Sequence, residues 1–81
     1  MKPKYPNSPT KIGFFLIPQF SMLSMSAAVE PLRIANRLSS SILYEWSFYS
    51  KHCLPVRASN GVEVAATRDM KDTDDLDALI V

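Results

Sequence analysis

Cysteine is scarce in this chain: Cys53 is the one thiol in 81 residues, so no internal disulfide can form and a reducing compartment suits the sequence. No cluster of histidine, cysteine and carboxylate stands at metal-ligand spacing, and no metal or cofactor is expected. No run approaches the roughly 18 apolar residues that a membrane span requires. The first ten residues carry Lys2 and Lys4, yet Pro3, Pro6 and Pro9 interrupt them and no apolar signal-type run follows, so a signal peptide is not expected. Charge of one sign is also missing. The net charge is +1, the nine Lys and Arg are dispersed, and Asp69, Asp72, Asp74, Asp75 and Asp77 crowd the C-terminal end. Direct binding to nucleic acid or to a membrane surface is therefore not expected. Together these absences describe a cytoplasmic chain.

What is present reads as one globular piece, with 47% apolar and 21% charged residues. Without a disulfide or metal, a core in so short a chain supplies no more than about 3 to 5 kcal/mol. Uncovered apolar surface then favours association, and a homo-oligomer is expected, joined by sheet or helix surface around Leu79 and Val81.

Residues 1 to 10 read as a flexible N-terminal arm, and residues 11 to 81 as the folded part. Lys11 to Ile17 is a nearly continuous apolar run closed by Pro18, the pattern of a strand covered on both faces. Met25, Val29, Leu32, Ala35 and Leu38 recur at intervals of three and four, which predicts an amphipathic helix. Ser21 or Ser24 can cap its start, Ser39 to Ser41 form a polar exit, and Pro31 predicts a kink near Ala27. The aromatic stretch Leu43 to Ser50 reads as a second strand, less buried and nearer a sheet edge. Val56 to Ala58 and Val62 to Val64 flank Ser59-Asn60-Gly61, a hairpin signature in which Asn-Gly supplies positive φ angles. The polar segment 67 to 75 has room for one helical turn at most, and Asp77 to Val81 reads as a final buried-type strand ending where an α/β domain turns into its active loop. The fold class is thus α/β, a three-layer, mostly parallel sheet in the order β-α-β-β-β-β with one short hairpin, of which this chain is expected to be the front, truncated part.

The segments Ile12 to Met25, Ala28-Val29-Glu30-Pro31-Leu32-Arg33-Ile34-Ala35-Asn36, Pro55 to Val64 and Leu76 to Val81 together resemble one group of proteins. These are transcriptional regulators of the AraC family whose N-terminal domain is similar to DJ-1/PfpI and class I glutamine amidotransferases. The resemblance covers residues 11 to 81 and implies a flavodoxin-like fold. It further implies a ligand-sensing and oligomerising domain without enzymatic activity, a small, nitrogen-containing metabolite as effector, and a DNA-binding domain outside this chain. In the catalytic branches of that superfamily a cysteine sits at a strand-to-helix elbow that follows the segments matched here. An acid stands where the same alignment puts Ser24, and serine cannot act as an acid or base near neutral pH.

Catalytic residues are therefore not assigned. Cys53 lies after the second strand, before Leu54 and Pro55, where no strand-turn-helix elbow fits. His52 beside it reads as a solvated residue, pointing away from Cys53 if both lie along a strand. Glu30 and Arg33 read as an intrahelical ion pair. The best candidate for ligand binding is the link Pro18-Gln19-Phe20 with Ser24, because ligands of open α/β sheets settle beyond the carboxyl ends of strands. There Gln19 offers donor and acceptor groups, Phe20 an apolar wall, and Ser24 either a hydrogen bond or a helix cap. Met22 and Met25 are candidates to line an adaptable apolar pocket. Two other readings remain open on the residues: a fragment of a cysteine-dependent hydrolase, isonitrile hydratase or amidase of the PfpI type, and a purely structural dimerisation module.

Overall fold

A computed structural model describes residues 8 to 81. The first strand, β1, spans Thr10–Phe15, one residue earlier than the apolar run suggests. Thr10 is buried at 1% exposure and its N–H donates to the Leu43 carbonyl at 2.9 Å, so the sheet claims the last residue assigned to the arm. Residues 1 to 7 of that arm lie outside the described residues.

Helix α1 spans Met22–Ser39 and runs through Pro31 without a break. Its start is capped by Ser21, whose hydroxyl accepts the Ser24 N–H at 3.1 Å. This N-cap satisfies one of the orphan donors of the first turn. At the other end Ser40 takes a left-handed conformation (φ 57°) and stops the helix. Asn36 then fixes α1 to the sheet. Its Oδ1 accepts from the N–H groups of Leu43 and Tyr44 at 2.8 and 2.9 Å, and its Nδ2 donates to the Tyr44 carbonyl at 2.9 Å.

Strand β2 spans Tyr44–Ser50 and pairs with β1 in parallel, Thr10 opposite Tyr44 through Phe15 opposite Tyr49. A three-residue 3₁₀ turn, Lys51–Cys53, follows. Next come β3 (Val56–Arg57) and β4 (Glu63–Val64), antiparallel, then β5 (Arg68–Asp69) and β6 (Ala78–Ile80). In the hairpin the Gly61 N–H donates to the Ala58 carbonyl at 3.0 Å and Gly61 has φ +88°. Only the glycine of the Asn-Gly pair takes positive φ; Asn60 contributes its Oδ1, which accepts from the Val62 N–H at 3.0 Å. The turn is therefore closed by one left-handed glycine, the geometry of a hairpin with a bulge.

The main sheet has the order β5-β2-β1-β6, all parallel. This is the α/β fold class expected, with one strand more than the sequence suggested. Strand β5 came from the polar segment 67 to 75, which lacks any apolar alternation, and it pairs only Tyr49 with Arg68 and Ser50 with Asp69. Its presence also corrects the edge position expected for β2, which lies between β5 and β1. The expectation that β2 is less buried than β1 holds: along β2 only Tyr49 and Ser50 are buried.

One face of the sheet carries Ile12, Phe14, Phe48 and Ile80 and is covered by α1. Phe14 and Phe48 are register partners with ring centroids 5.8 Å apart. Met25, Val29, Leu32 and Ala35 are half-buried against this face, but Leu38, placed in the same stripe by its spacing, is 80% exposed. The opposite face holds Gly13, Tyr49 and Leu76 in close contact. Burial pushes the Tyr49 phenol above its ordinary value of 10.0, against the opposing pull of Arg68. Strand β6 is held to β1 by a reciprocal pair: the Asp77 N–H donates to the Lys11 carbonyl at 2.8 Å, and the Lys11 N–H donates to Asp77 Oδ2 at 2.7 Å.

Candidate functional site

In the order β2-β1-β6, the chain leaves β1 toward one side for β2 and later returns to the other side for β6. Such a reversal opens a crevice at the carboxyl ends of β1 and β6, the two strands on either side of the switch point. A cavity of about 300 Å³ lies there. Its floor is the end of β1 and the residues after it, Phe14 to Ile17; one wall is the start of α1, with Ser21, Ser24, Met25 and Ala28; the other is Ile80 and Val81. Phe20 also lines it. No residue with a charged side chain lines it, and the residues with polar side chains are Ser21 and Ser24.

Of the four candidate residues, Phe20 and Ser24 lie in the cavity wall, whereas Pro18 and Gln19 stand exposed in the preceding turn. That turn is closed by the Phe20 N–H donating to the Ile17 carbonyl at 3.2 Å. Pro18 supplies the fixed φ favoured at its second position, and Gln19 takes φ +69° at the third, where glycine is the usual residue. The conformation is strained for a side-chain-bearing residue, a cost of about 1 to 2 kcal/mol. It is held by the hairpin. The Gln19 N–H donates to the Arg57 carbonyl at 2.8 Å, the Ser59 N–H donates to the Phe20 carbonyl at 2.8 Å, and Phe20 and Ala58 form a parallel bridge. Pro18 and Gln19 thus act through the backbone, aiming Phe20, and the hairpin is the strap that keeps them so.

Sequence reasoning singled out Met25 as a pocket residue and missed Ala28, Ile80 and Val81. Ala28, a small residue of α1 in the cavity wall, gives no chemical signal in the sequence. Ile80 and Val81 join the site through the parallel pairing of Phe14 with Ile80. Met22 is half-buried and is not part of the cavity wall.

The Cys53 region differs from expectation in its geometry. His52 and Cys53 do not continue a strand; both take left-handed backbone angles (φ 56° and 58°) in the 3₁₀ turn. Cys53 is exposed and its Sγ donates to the Ala66 carbonyl at 3.4 Å, a contact that gives the thiol no base. Glu30 is paired with Arg33 one helical turn on, as expected. Among the described residues no group of three metal-ligating side chains assembles, and no helix is long and apolar enough to cross a membrane.

No family model matches the chain. Among curated proteins it is 37% identical over 79 residues to the HTH-type transcriptional regulator GbdR of Pseudomonas aeruginosa, covering 98% of this chain and 22% of that protein. It is 49% identical over 51 residues to the HTH-type transcriptional regulator CdhR of the same species, covering 63% of this chain and 15% of that protein. The chain therefore spans about a fifth of the length of these relatives. Among solved structures, an AraC family transcriptional regulator from Pseudomonas putida superposes with a TM-score of 0.78 at 29% identity, over 88% of this chain and 44% of that one. The switch-point crevice thus belongs to an α/β chain whose sequence relatives are HTH-type transcriptional regulators and whose structural relative is a regulator of the AraC family.

Proposed function

We propose that this chain is the non-enzymatic, ligand-sensing and self-associating part of an AraC-type transcriptional regulator, built on a DJ-1/PfpI-like domain, with DNA binding supplied by a helix-turn-helix domain outside these residues. The observation that carries the reading is the cavity at the sheet's switch point, apolar and free of charged side chains, with two serine hydroxyls at its helix wall. At about 300 Å³ it is at the small end of the range for small-molecule sites. Its effector is a small, nitrogen-containing metabolite, the class implied by the resemblance, with apolar groups against Phe14, Phe20 and Met25 and a polar group toward Ser21 and Ser24.

The names of the relatives support a regulatory role, and the exposed, baseless thiol of Cys53 supports the absence of cysteine catalysis. Residues Phe20 and Ser24 are ligand contacts in this reading, while Pro18 and Gln19 position Phe20.

Calorimetric titration of the chain with a panel of small amines, amino acids and quaternary ammonium compounds tests the proposal. Saturable binding by one class, lost in Ala28→Phe, which fills the cavity, and weakened in Ser24→Ala, is the expected result. Binding that survives Ala28→Phe would place the ligand elsewhere. In a mobility-shift assay the chain alone should bind promoter and random duplexes equally and only weakly at physiological salt.

A further inference from the structure

The hairpin that grips the turn before α1 carries an Asn-Gly pair at its tip, open to water. Ser59, Asn60 and Gly61 are all exposed, and a Cβ at Gly61 would meet nothing within 4 Å. An asparagine carboxamide is most easily reached by the next backbone nitrogen when that residue is glycine, because no side chain obstructs ring closure. Two contacts favour such closure here. The Val62 N–H donates to Asn60 Oδ1 at 3.0 Å, which folds the carboxamide back along the Gly61 peptide and sets a donor on the oxygen where negative charge develops. Among the described residues Nδ2 of Asn60 has no hydrogen-bond partner, so nothing restrains it as a leaving group.

One contact opposes it. The Gly61 N–H donates to the Ala58 carbonyl at 3.0 Å, and the nitrogen must give up that proton before it can attack. This brake is weak, because β3 and β4 have two residues each and a hairpin so short is marginally stable, opening often at its tip.

We propose that Asn60 is a self-modification site, converted in the folded chain through a cyclic imide to isoaspartate, and that the conversion loosens the hairpin's hold on Phe20. The Gly61 nitrogen, its proton lost to hydroxide, attacks Cγ of Asn60. The new N–Cγ bond closes the imide ring, the Cγ–Nδ2 bond breaks, and Nδ2 takes a proton from water and leaves as ammonia. Water then adds to a ring carbonyl. Cleavage between the nitrogen and the main-chain carbon leaves the chain running through Cγ, an isoaspartate; cleavage between the nitrogen and Cγ leaves an aspartate. Water is the co-reactant throughout.

Isoaspartate lengthens the backbone at the tip by one methylene and puts a carboxylate where a neutral amide stood. The tip then loses the spacing that lets Gly61 bond to Ala58 and Ala58 bond to the Val62 carbonyl. Ala58 and its neighbours are the grip itself. The Ser59 N–H donates to the Phe20 carbonyl and the Gln19 N–H to the Arg57 carbonyl, both at 2.8 Å, and Phe20 bridges Ala58. Ser59 adjoins the modified residue, so its bond goes first, and left-handed Gln19 loses part of its restraint. Asn36 has the opposite setting and serves as an internal control: it lies within α1, is followed by Arg37, and its carboxamide makes three hydrogen bonds to Leu43 and Tyr44.

The inference is independent of the proposed effector. The chain is incubated at neutral and at mildly alkaline pH and cut with trypsin after Arg57 and Arg68, which isolates residues 58 to 68. The expected result is conversion of Asn60 to the acid, mostly isoaspartate by isoaspartyl methyltransferase labelling. It is faster at the higher pH and within about tenfold of the rate in a free peptide of the same sequence. Asn36 remains an amide, and Asn60→Gln abolishes the reaction, since glutamine requires a larger ring. In the converted chain, separated by its added charge, the Gln19 and Ser59 amides exchange hydrogen about tenfold faster or more while Phe14 is unchanged. Conversion of Asn60 slower than that tenfold limit, or no faster than that of Asn36, would overturn the site. Unaltered exchange at Gln19 and Ser59 in the converted chain would overturn the loosening.

Discussion

Gly13 is the point where the two inner strands of the sheet leave no room for a side chain. A Cβ at this position would lie 2.5 Å from Leu76 Cδ1, 2.9 Å from Tyr49 Cε1 and 3.1 Å from Tyr49 Cδ1. The Leu76 methyl is the end of a half-buried side chain and can rotate aside. The Tyr49 ring is 1% exposed and cannot move without opening the β1–β2 contact. Overpacking of this kind costs about 1 to 3 kcal/mol. Alanine also restricts the unfolded chain, which returns about 0.4 to 1 kcal/mol because Gly13 has no positive φ to forbid it. The net expectation for Gly13→Ala is a loss of about 1 to 2 kcal/mol, a large share of the stability available to a core this small. Urea denaturation followed by tryptophan fluorescence of Trp46 reads it directly. Adding Leu76→Ala should make the two substitutions less than additive, since the second removes the first clash. Gly13→Ala as stable as the parent, or strictly additive with Leu76→Ala, would show that the packing between Gly13, Tyr49 and Leu76 is not as described.

Asn36→Ala removes all three hydrogen bonds that tie the end of α1 to Leu43 and Tyr44 and should cost about 1 to 3 kcal/mol in the same urea assay, more than any exposed serine of the helix. Gln19→Gly releases the left-handed strain before Phe20 and should raise stability by about 1 kcal/mol, while any effector bound beside Phe20 dissociates faster in stopped-flow measurements. Cys53→Ser should leave effector affinity unchanged, and in the parent the thiol should react fully with Ellman's reagent under native conditions. Tyr49 holds its proton more tightly folded than unfolded, so its contribution to stability is complete below pH 10.0 and declines as pH rises from there through the raised folded value. In Tyr49→Phe that alkaline decline, followed by urea midpoints between about pH 9 and 11, should be reduced.

Local chemistry was legible wherever one residue type decides one conformation. The apolar run after Thr10, the spacing of Met25, Val29 and Leu32, and the turn at Gly61 led to β1, α1 and the hairpin, because burial on two faces, burial on one stripe and a positive φ each leave a direct mark on sequence. The Glu30–Arg33 pair follows from helical spacing alone. The two-residue strand β5 left no such mark. Its pairing with Tyr49 and Ser50 uses backbone groups only, and Arg68 and Asp69 have none of the alternation that burial imposes. The turn at His52 and Cys53, placed only as lying after the second strand, left no mark either, because its left-handed backbone has no glycine to announce it.

The candidate site divides along the same line. Sequence alone determined that a link after the first strand, Pro18-Gln19-Phe20, meets the start of a helix near Ser24, since strand and helix are consecutive in the chain and their ends must be close. Only the tertiary structure decided which groups face the cavity. Phe20 and Ser24 enter it while Pro18 and Gln19 stay outside, because a hairpin forty residues away grips the turn through the carbonyl of Arg57 and the N–H of Ser59. Ile80 and Val81 complete the wall because β6 lies parallel to β1, with Ile80 opposite Phe14. Helix α1 shows the same limit: spacing places Leu38 in one stripe with Met25, Val29 and Leu32, but the sheet covers those three and leaves Leu38 exposed. Backbone pairing between distant segments carries no residue code, so what it positions can be read only from the folded chain.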